Sequence, residues 1–369
     1  MGVEGAFKYL ESQGITGNVI DPALYNNPIH VDILSLYFAY IVSTMTSLQL
    51  RVYQTEVDYS QTDTAMRTNT VFPQLITAMH YRLQRSFSAP SVTLHFDGAP
   101  STQKNKAHTD RTANFNAYAT RTVASVYAIS EILNLYGQGL FPAGTNRPAP
   151  RSVVRRILKS YRTVLQHWRS TRFLDQQTKN ALVAGLRTLG WTVCTCRGET
   201  DVCIASLPGQ ATTVATSDSD FLFHHVPNVL RQDPNDKTSF RLYNTPQILL
   251  QLGITRHMWT TLAIVTNNDY TRNVRRYGVV TNLAVIKSLP NAPTLTTRQL
   301  LTAYCVLLGQ RGSYPDNRTS IRSGYFQNAY SIYAQQTEAL LAHQLVDRPD
   351  EAVRGIVHDV NEFFEENRW

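Results

Sequence analysis

Seven acidic residues stand where a carboxylate could act on something outside its own backbone. Asp218 and Asp220 lie two apart in V-A-T-S-D-S-D-F-L-F, with an apolar run on either side. Asp32 and Asp97 each close a short apolar stretch, Glu199 and Asp201 open a helical one, and Asp269 follows Asn267-Asn268. Seven carboxylates brought together without compensation would repel one another. A divalent cation removes that difficulty: Mg2+ takes oxygen ligands, keeps several waters and works on phosphates. Two such ions about 4 Å apart can clamp the attacking and leaving oxygens of a phosphodiester. Taken singly, each acid reads as a cap or turn residue, and Glu199 with Asp201 as charge at a helix N-terminus. Only the set points to a metal site.

For the acids to meet, the elements that carry them must end at one place. Pro28 to Leu34 looks like a short buried strand and Leu34 to Leu50 a helix. Ser91 to Asp97 alternates in the manner of a strand and stops at Asp97-Gly98, a turn signal. Residues 151–171 place Val153, Val154, Ile157, Leu158, Tyr161, Val164 and Leu165 at helical spacing, opposite Arg155, Lys159 and Arg162. Residues 176–190 read as a helix closed by Gly190, and Trp191 to Cys194 as a strand. Glu199 to Leu207 reads as a helix, and Thr212 to Thr216 as a strand. Thr261 to Val265 fits either state. The alternation predicts an α/β fold with a central, mostly parallel sheet flanked by helices. In such sheets ligands bind outside the carboxyl ends of the strands.

The totals are compatible with this. The chain has 369 residues, 43% hydrophobic and 17% charged, enough for a sizeable core. A net charge of +8 and a pI near 9.3 lean toward a polyanionic partner. The four cysteines, Cys194, Cys196, Cys203 and Cys305, are too few for a disulfide framework and suit a reducing compartment. Cys194-x-Cys196 lacks the C-x2-C spacing of common zinc sites, so structural thiols are the expectation. The N-terminus MGVEGAFKYL has neither the basic nor the apolar segment of a signal peptide, and Ala6 stands where myristoylation favours Ser or Thr. No apolar run is read as approaching the roughly 18 residues of a membrane span. The expectation is a soluble intracellular protein, cytoplasmic or nuclear, without a membrane partner.

The acids also recur in an order that resembles the flap-endonuclease/XPG superfamily of metal-dependent nucleases. MGVEGAFKYLE resembles that family's start, with Gly2 in its second position. His30-Val31-Asp32-Ile33-Leu34 resembles its first acidic strand, and Phe96-Asp97-Gly98-Ala99-Pro100 its F-D-G-x-x-P. Gly198-Glu199-Thr200-Asp201-Val202-Cys203-Ile204-Ala205 is similar to G-E-A-E-A-x-x-A, with Asp201 for the second Glu. Ser217-Asp218-Ser219-Asp220-Phe221-Leu222-Phe223 follows S-x-D-x-D-x-L-x-F after Thr216, and Asn267-Asn268-Asp269-Tyr270 resembles G-N-D-Y. The resemblance covers residues 1 to about 290. It implies a PIN/flap-endonuclease-like domain there and a helical extension over 291–369. It further implies two Mg2+ or Mn2+ ions. Asp97, Glu199, Asp201 and Asp218 would hold one, and Asp32, Asp220 and Asp269 the second ion or its waters. The family's Lys and Arg, seven and fourteen residues past the F-D-G Asp, fall on Lys104 and Arg111, which would neutralise charge on the scissile phosphate. Residues 104–172 would form the gateway over the site, with its basic helix clamping a single strand.

Some positions depart from the pattern. The family's duplex-gripping G-x-G-x-x-x-A falls on Gly278-Val279-Val280-Thr281-Asn282-Leu283-Ala284, with Val280 for the second glycine and Asn282 at the lysine position. Arg272, Arg275 and Arg276 are nearby cations that could compensate. His224 and His225 stand where the family often has Gly; they reach the site or flank it, flanking being the expectation. Phe363 and Phe364 match the aromatic pair of a sliding-clamp tail without its Gln, so helix packing is their expected role. The resemblance thus implies a nuclease on DNA or RNA, with single-stranded, flap-like or RNA substrates favoured. The rival is a catalytically silent adaptor that binds RNA or protein, against which the complete carboxylate set argues. Oligomeric state is not legible.

Overall fold

The apolar runs that precede the acids are strands, and they lie side by side. The computed structural model describes residues 3–22, 25, 27–55, 63–87, 92–137, 151–170, 174–207, 212–236, 239–271, 277–310, 326–335 and 349–366. Among them are β1 (Asn18–Ile20), β2 (Ile29–Asp32), β3 (Val92–Phe96), β4 (Thr192–Thr195), β5 (Thr213–Ala215), β6 (Asn228–Gln232) and β7 (Phe240–Asn244). The sheet order is β1-β7-β6-β5-β2-β3-β4. Strands β6, β5, β2, β3 and β4 run parallel, and β7 is antiparallel to both β6 and β1. Ile29 and Val31 of central β2 and Val214 and Ala215 of β5 are buried because helices cover such a sheet on both faces.

The chain leaves β2 toward β3 and β4 on one side, then returns to β5 and β6 on the other. Strand order therefore reverses between β2 and β5, the kind of crevice in which α/β sheets bind ligands. Asp32 ends β2, Asp97 follows β3, and Asp218 follows β5.

The sequence reading of the expected strands and helices holds, and the ambiguous Thr261 to Val265 is helical, within Arg256–Val265. Every residue from Met258 to Val265 is buried. A helix covered on all sides has no polar face to reveal its period. Trp259 stacks on Phe223 at 4.3 Å and donates from Nε1 to the Leu222 carbonyl.

The absence of a membrane-length apolar run is corrected. Ile33–Gln54 is 22 residues long and holds an 18-residue stretch of mean hydropathy 1.4, long and apolar enough to cross a membrane by length and composition. Within it Ile33, Tyr37, Ile41, Met45, Gln49 and Val52 are buried at three- and four-residue intervals, the pattern of a helix with one packed face.

The chain forms two compact units. One comprises residues 1–37, 82–107 and 186–343 and holds the whole sheet. The other comprises residues 38–81, 108–185 and 344–369 and is helical in its described parts. In this second unit Arg67 bonds Asp175 and Thr178, while Asp175 Oδ1 accepts from Thr178 N (2.7 Å) at the start of helix Gln176–Thr188. Trp168 donates from Nε1 to Asp350 Oδ1 (2.7 Å), fixing helix Arg151–Ser170 to helix Asp350–Glu366. Phe363 is buried on the latter, in keeping with a packing role.

Candidate active site

The strand ends are shaped by short polar devices. After β2, Asp32 accepts from Ser35 N at Oδ1 (3.1 Å) and from Thr216 Oγ1 at Oδ2 (3.2 Å), which joins it to the end of β5. After β3, Gly98 lies against the backbone of Cys196 and Arg197, where any Cβ would collide with their carbonyl oxygens. Gly98 N and Ala99 N donate to the carbonyls of Gly198 and Arg197 (2.8 and 3.0 Å). This brings Asp97 to the helical turn Thr200–Ala205, whose first N–H it caps (Thr200 N to Asp97 Oδ1, 2.8 Å). Glu199 makes no cap with its side chain. Its Oε2 instead receives Lys104 Nζ at 3.0 Å.

The opening apolar-acidic run is not one continuous strand. β5 ends at Ala215, and Asp220 begins the short helix Asp220–Phe223. Asp218 bridges the two, its N–H donating to Thr216 Oγ1 and its Oδ1 accepting from Asp220 N, both at 3.0 Å. That turn drives Asp220 into the interior, where it is fully buried while Asp218 is half-buried.

Lys104 is itself buried, on the turn Thr102–Lys104. Its ammonium lies 4.0 Å from Asp201 Oδ2 and 5.0 Å from the centre of the Tyr270 ring. Burial alone would lower its pKa, but Tyr270, Asp201, Glu199 and Asp220 together raise it well above the usual range, so it stays charged. Among the described residues, Lys104 is set against Glu199, Asp201 and Asp220. Burial, then Asp97, Asp218 and Asp201, push the Asp32 carboxyl well up despite the Ser35 N–H. Burial, then Asp218 and Asp201, do the same to Asp220. Glu199 is raised by burial and by its acidic neighbours against the pull of Lys104. Burial also works against an ionised Asp201, yet Lys104, His224 and the Val202 N–H outweigh it and hold that carboxyl low.

Three side chains that the sequence reading assigned elsewhere, or passed over, complete the cluster. Tyr333, in the expected C-terminal extension, donates to Asp220 Oδ1 at 2.7 Å. Tyr270 donates to Asp201 Oδ2 at 3.3 Å. His224 does not merely flank the site: its Nε2 is 3.7 Å from Asp201 Oδ2, beyond hydrogen-bond reach, and its ring lies beside Tyr333. His225 does flank, at φ 60°, bonded to Thr260 Oγ1 (2.6 Å). A lone Tyr far along the chain carries no local signal of such a role, whereas the two histidines four and five residues past Asp220 were a visible one.

Asp220 Oδ2 and both ring nitrogens of His224 are buried and lack a hydrogen-bond partner among the described residues. A buried carboxylate oxygen left without a donor is costly, by about 1–3 kcal/mol. Together with six clustered acids, it fits a cation ligand.

Asp269 is half-buried in the loop that Asn268 organises, by accepting from Tyr270 N and Thr271 N and donating to the Ala263 and Thr266 carbonyls. Glu4 and Asn267 tie the N-terminal segment to that loop, and Ser219 Oγ donates to the Val3 carbonyl. Gly278 caps helix Val279–Ser288, with exposed Val280 in its first turn. Asn282 is not positioned for phosphate. It is buried, donating to the Val265 carbonyl and Thr266 Oγ1 and accepting from Tyr304. In the second unit Arg111, on helix Asn105–Gly137, and Arg155, Lys159 and Arg162, on helix Arg151–Ser170, are exposed. Gly2, Arg272, Arg275 and Arg276 lie outside the described residues.

No family model matches the sequence, and no curated protein matches it. Among solved structures the chain is similar to the catalytic core of Rad2 in complex with DNA substrate, at 14% identity and a TM-score of 0.46 over 99% of this chain and 98% of that one. It is similar to flap endonuclease-1 from Methanococcus jannaschii, at 13% identity and 0.45 over 99% of each. It is also similar to human GEN1 in complex with Holliday junction DNA, at 14% identity and 0.43 over 100% of this chain and 74% of that one.

Proposed function

We propose that this protein is a divalent-metal-dependent nuclease that hydrolyses phosphodiester bonds of DNA or RNA. The observation that carries this reading is the convergence of six carboxylates at the switch point of the sheet, with Asp220 Oδ2 buried and without a hydrogen-bond partner among the described residues. An oxygen-only donor set suits Mg2+ or Mn2+. Asp97, Glu199, Asp201 and Asp218 would hold one ion, and Asp32, Asp220 and Asp269 a second or its waters. Bound there, the ions would supply an activated water and stabilise the leaving oxygen.

The protein's own groups prepare that chemistry. Tyr333 donates to Asp220 and so favours its ionised form as a ligand. Asp97 and the backbone contacts at Gly98 fix the turn that presents Glu199 and Asp201. Lys104, held protonated, supplies a point charge for a phosphate oxygen. Arg111 and the exposed Arg155, Lys159 and Arg162 offer backbone contacts to a polyanion. Val280 in the first turn after Gly278 hinders close approach of phosphate to the backbone there, and Asn282 is occupied within the core. Both features favour single-stranded, flap-like or RNA substrates over a long duplex.

The test uses purified protein with Mg2+ or Mn2+ and labelled single-stranded RNA, single-stranded DNA and a 5′-flap duplex. At least one substrate is cleaved, chelator abolishes cleavage, and Asp218→Ala/Asp220→Ala lowers the rate at least about 100-fold. Binding without cleavage would identify an adaptor instead, and equal cleavage by the double variant would move the active site elsewhere.

A further inference from the structure

A second, chemically different cluster lies at the β3–β4 edge of the sheet. Parallel pairing sets His95 beside Cys194. Cys196, one residue past β4, is drawn to the same strand by its N–H on the Phe96 carbonyl (2.9 Å). The helical turn Thr200–Ala205 supplies Cys203. One ring nitrogen and three sulfurs thus lie within 4.8 Å of one another, with Cys196 Sγ 3.8 Å from His95 Nδ1. Ligands bound to tetrahedral zinc at about 2.0–2.3 Å stand roughly 3.3–3.8 Å apart, so small rotations close the site. None of the three thiols is in a disulfide. His95 and Cys196 are buried, Cys194 and Cys203 half-buried.

An independent observation comes from β2. His30 Nδ1 lies 2.9 Å from His95 Nε2. Two ring nitrogens at that distance share one proton. With the proton on His95 Nε2 and donated to His30, Nδ1 of His95 turns its lone pair toward the sulfurs. Metal-binding histidines are commonly oriented by such a bond from their other nitrogen.

We propose that His95, Cys194, Cys196 and Cys203 bind one zinc ion in a closed structural site, distinct from the carboxylate cluster. Three thiolates and an imidazole select zinc, whereas Mg2+ prefers oxygen. Four protein ligands leave no open position for substrate. The ion joins β3, the end of β4 and the turn that carries Glu199 and Asp201, so it fixes two of the site acids from behind. The Cys-x-Cys spacing conceals the site in the sequence, because the fourth ligand comes from a strand about a hundred residues earlier.

The test is metal analysis of the full chain, purified from zinc-supplemented medium and dialysed against metal-free buffer. The expected content is about one zinc per chain. It falls at least tenfold in Cys196→Ser/Cys203→Ser and is unchanged in Cys305→Ser and in Asp218→Ala/Asp220→Ala. Cobalt(II) loaded into the wild type gives intense thiolate-to-metal charge transfer and the visible bands of a tetrahedral site, a readout that needs no variant to fold. Zinc below about a tenth of an equivalent with no cobalt charge transfer overturns the proposal. So does full zinc retention by the cysteine double variant, or a disulfide among the three thiols. None of these readouts depends on nuclease activity.

Discussion

At the scale of single residues, the site is a balance between buried negative charge and the few groups that offset it. Asp32 and Asp220 have carboxyls raised on folding, by burial first and acidic neighbours second. Such an acid keeps its proton in the native state at pH values where the unfolded chain has lost it. Its contribution is therefore neutral below the usual value of 3.8 and destabilising as pH rises toward the folded one. Asp201, held low, contributes the opposite: stability present above its usual value and lost as pH falls through the folded one. In chelator, the thermal midpoint of the wild type relative to Asp220→Asn should accordingly decline as pH rises above 3.8, a comparison that removes the opposite contribution of His30 and His225, whose lowered values add stability as pH rises toward 6.5. Excess Mg2+ should reverse that decline. Paired thermal melts across the pH range check this; a difference that does not change with pH would show that the acids are not frustrated. Tyr333→Phe removes one donor and keeps the ring against His224 and Tyr270. It should change stability by only about 1 kcal/mol while weakening Mn2+ binding roughly 5- to 10-fold. The acids themselves were legible from types and spacing. Tyr333 was not, because its partner is set by packing between distant segments, and His224 left only a local signal that did not choose between reaching the site and flanking it.

At the scale of elements, what matters is where strands stop. The buried runs Ile29–Asp32, Val92–Phe96 and Thr213–Ala215 are apolar enough to read as strands, and each is followed at once by its acid or by a polar turn leading to it. The bend at Thr216–Ser219 was not legible. Ser35, Thr216 and Ser217 form it through side-chain bonds across 181 and 182 positions, which no local pattern announces. Strands β6 and β7 were passed over as well, since Arg231 and Arg241 interrupt their apolar pattern. Gly98 is the tightest of these junctions. Gly98→Ala should destabilise the fold by roughly 1–3 kcal/mol, because the obstacle is backbone that cannot rotate aside. Denaturant unfolding measures this, and an unchanged midpoint would mean that the junction is looser than described. On helix Arg151–Ser170 the apolar stripe was visible in the sequence, and Val153, Val154, Ile157, Val164 and Trp168 are buried. Its exposed cations can be removed without unfolding it. Arg155→Ala/Lys159→Ala/Arg162→Ala should weaken binding of single-stranded nucleic acid across all sequences and reduce the salt slope of log K by about 2. An unaltered slope would exclude this face from the interface.

At the scale of the whole molecule, the chain separates two chemistries within one sheet-bearing unit. Oxygen donors gather at the switch point between β2 and β5, and sulfur donors at the β3–β4 edge. The α/β class and the acid set could be read because alternating strands and helices leave a strong periodic trace. The sulfur site could not, because its ligands are adjacent only after β3 and β4 pair. The net charge of +8 suits a polyanionic partner but does not choose among polymers. The claim on which the rest depends is that the carboxylates form a divalent-metal site and not a self-sufficient hydrogen-bonded cluster. Calorimetric titration of Mn2+ into the zinc-replete full chain at neutral pH tests it most directly. The wild type should bind Mn2+ with release of protons from the raised acids, and Asp218→Ala/Asp220→Ala should bind it at least about tenfold more weakly. Equal uptake by the two proteins, or none by the wild type, would contradict the account.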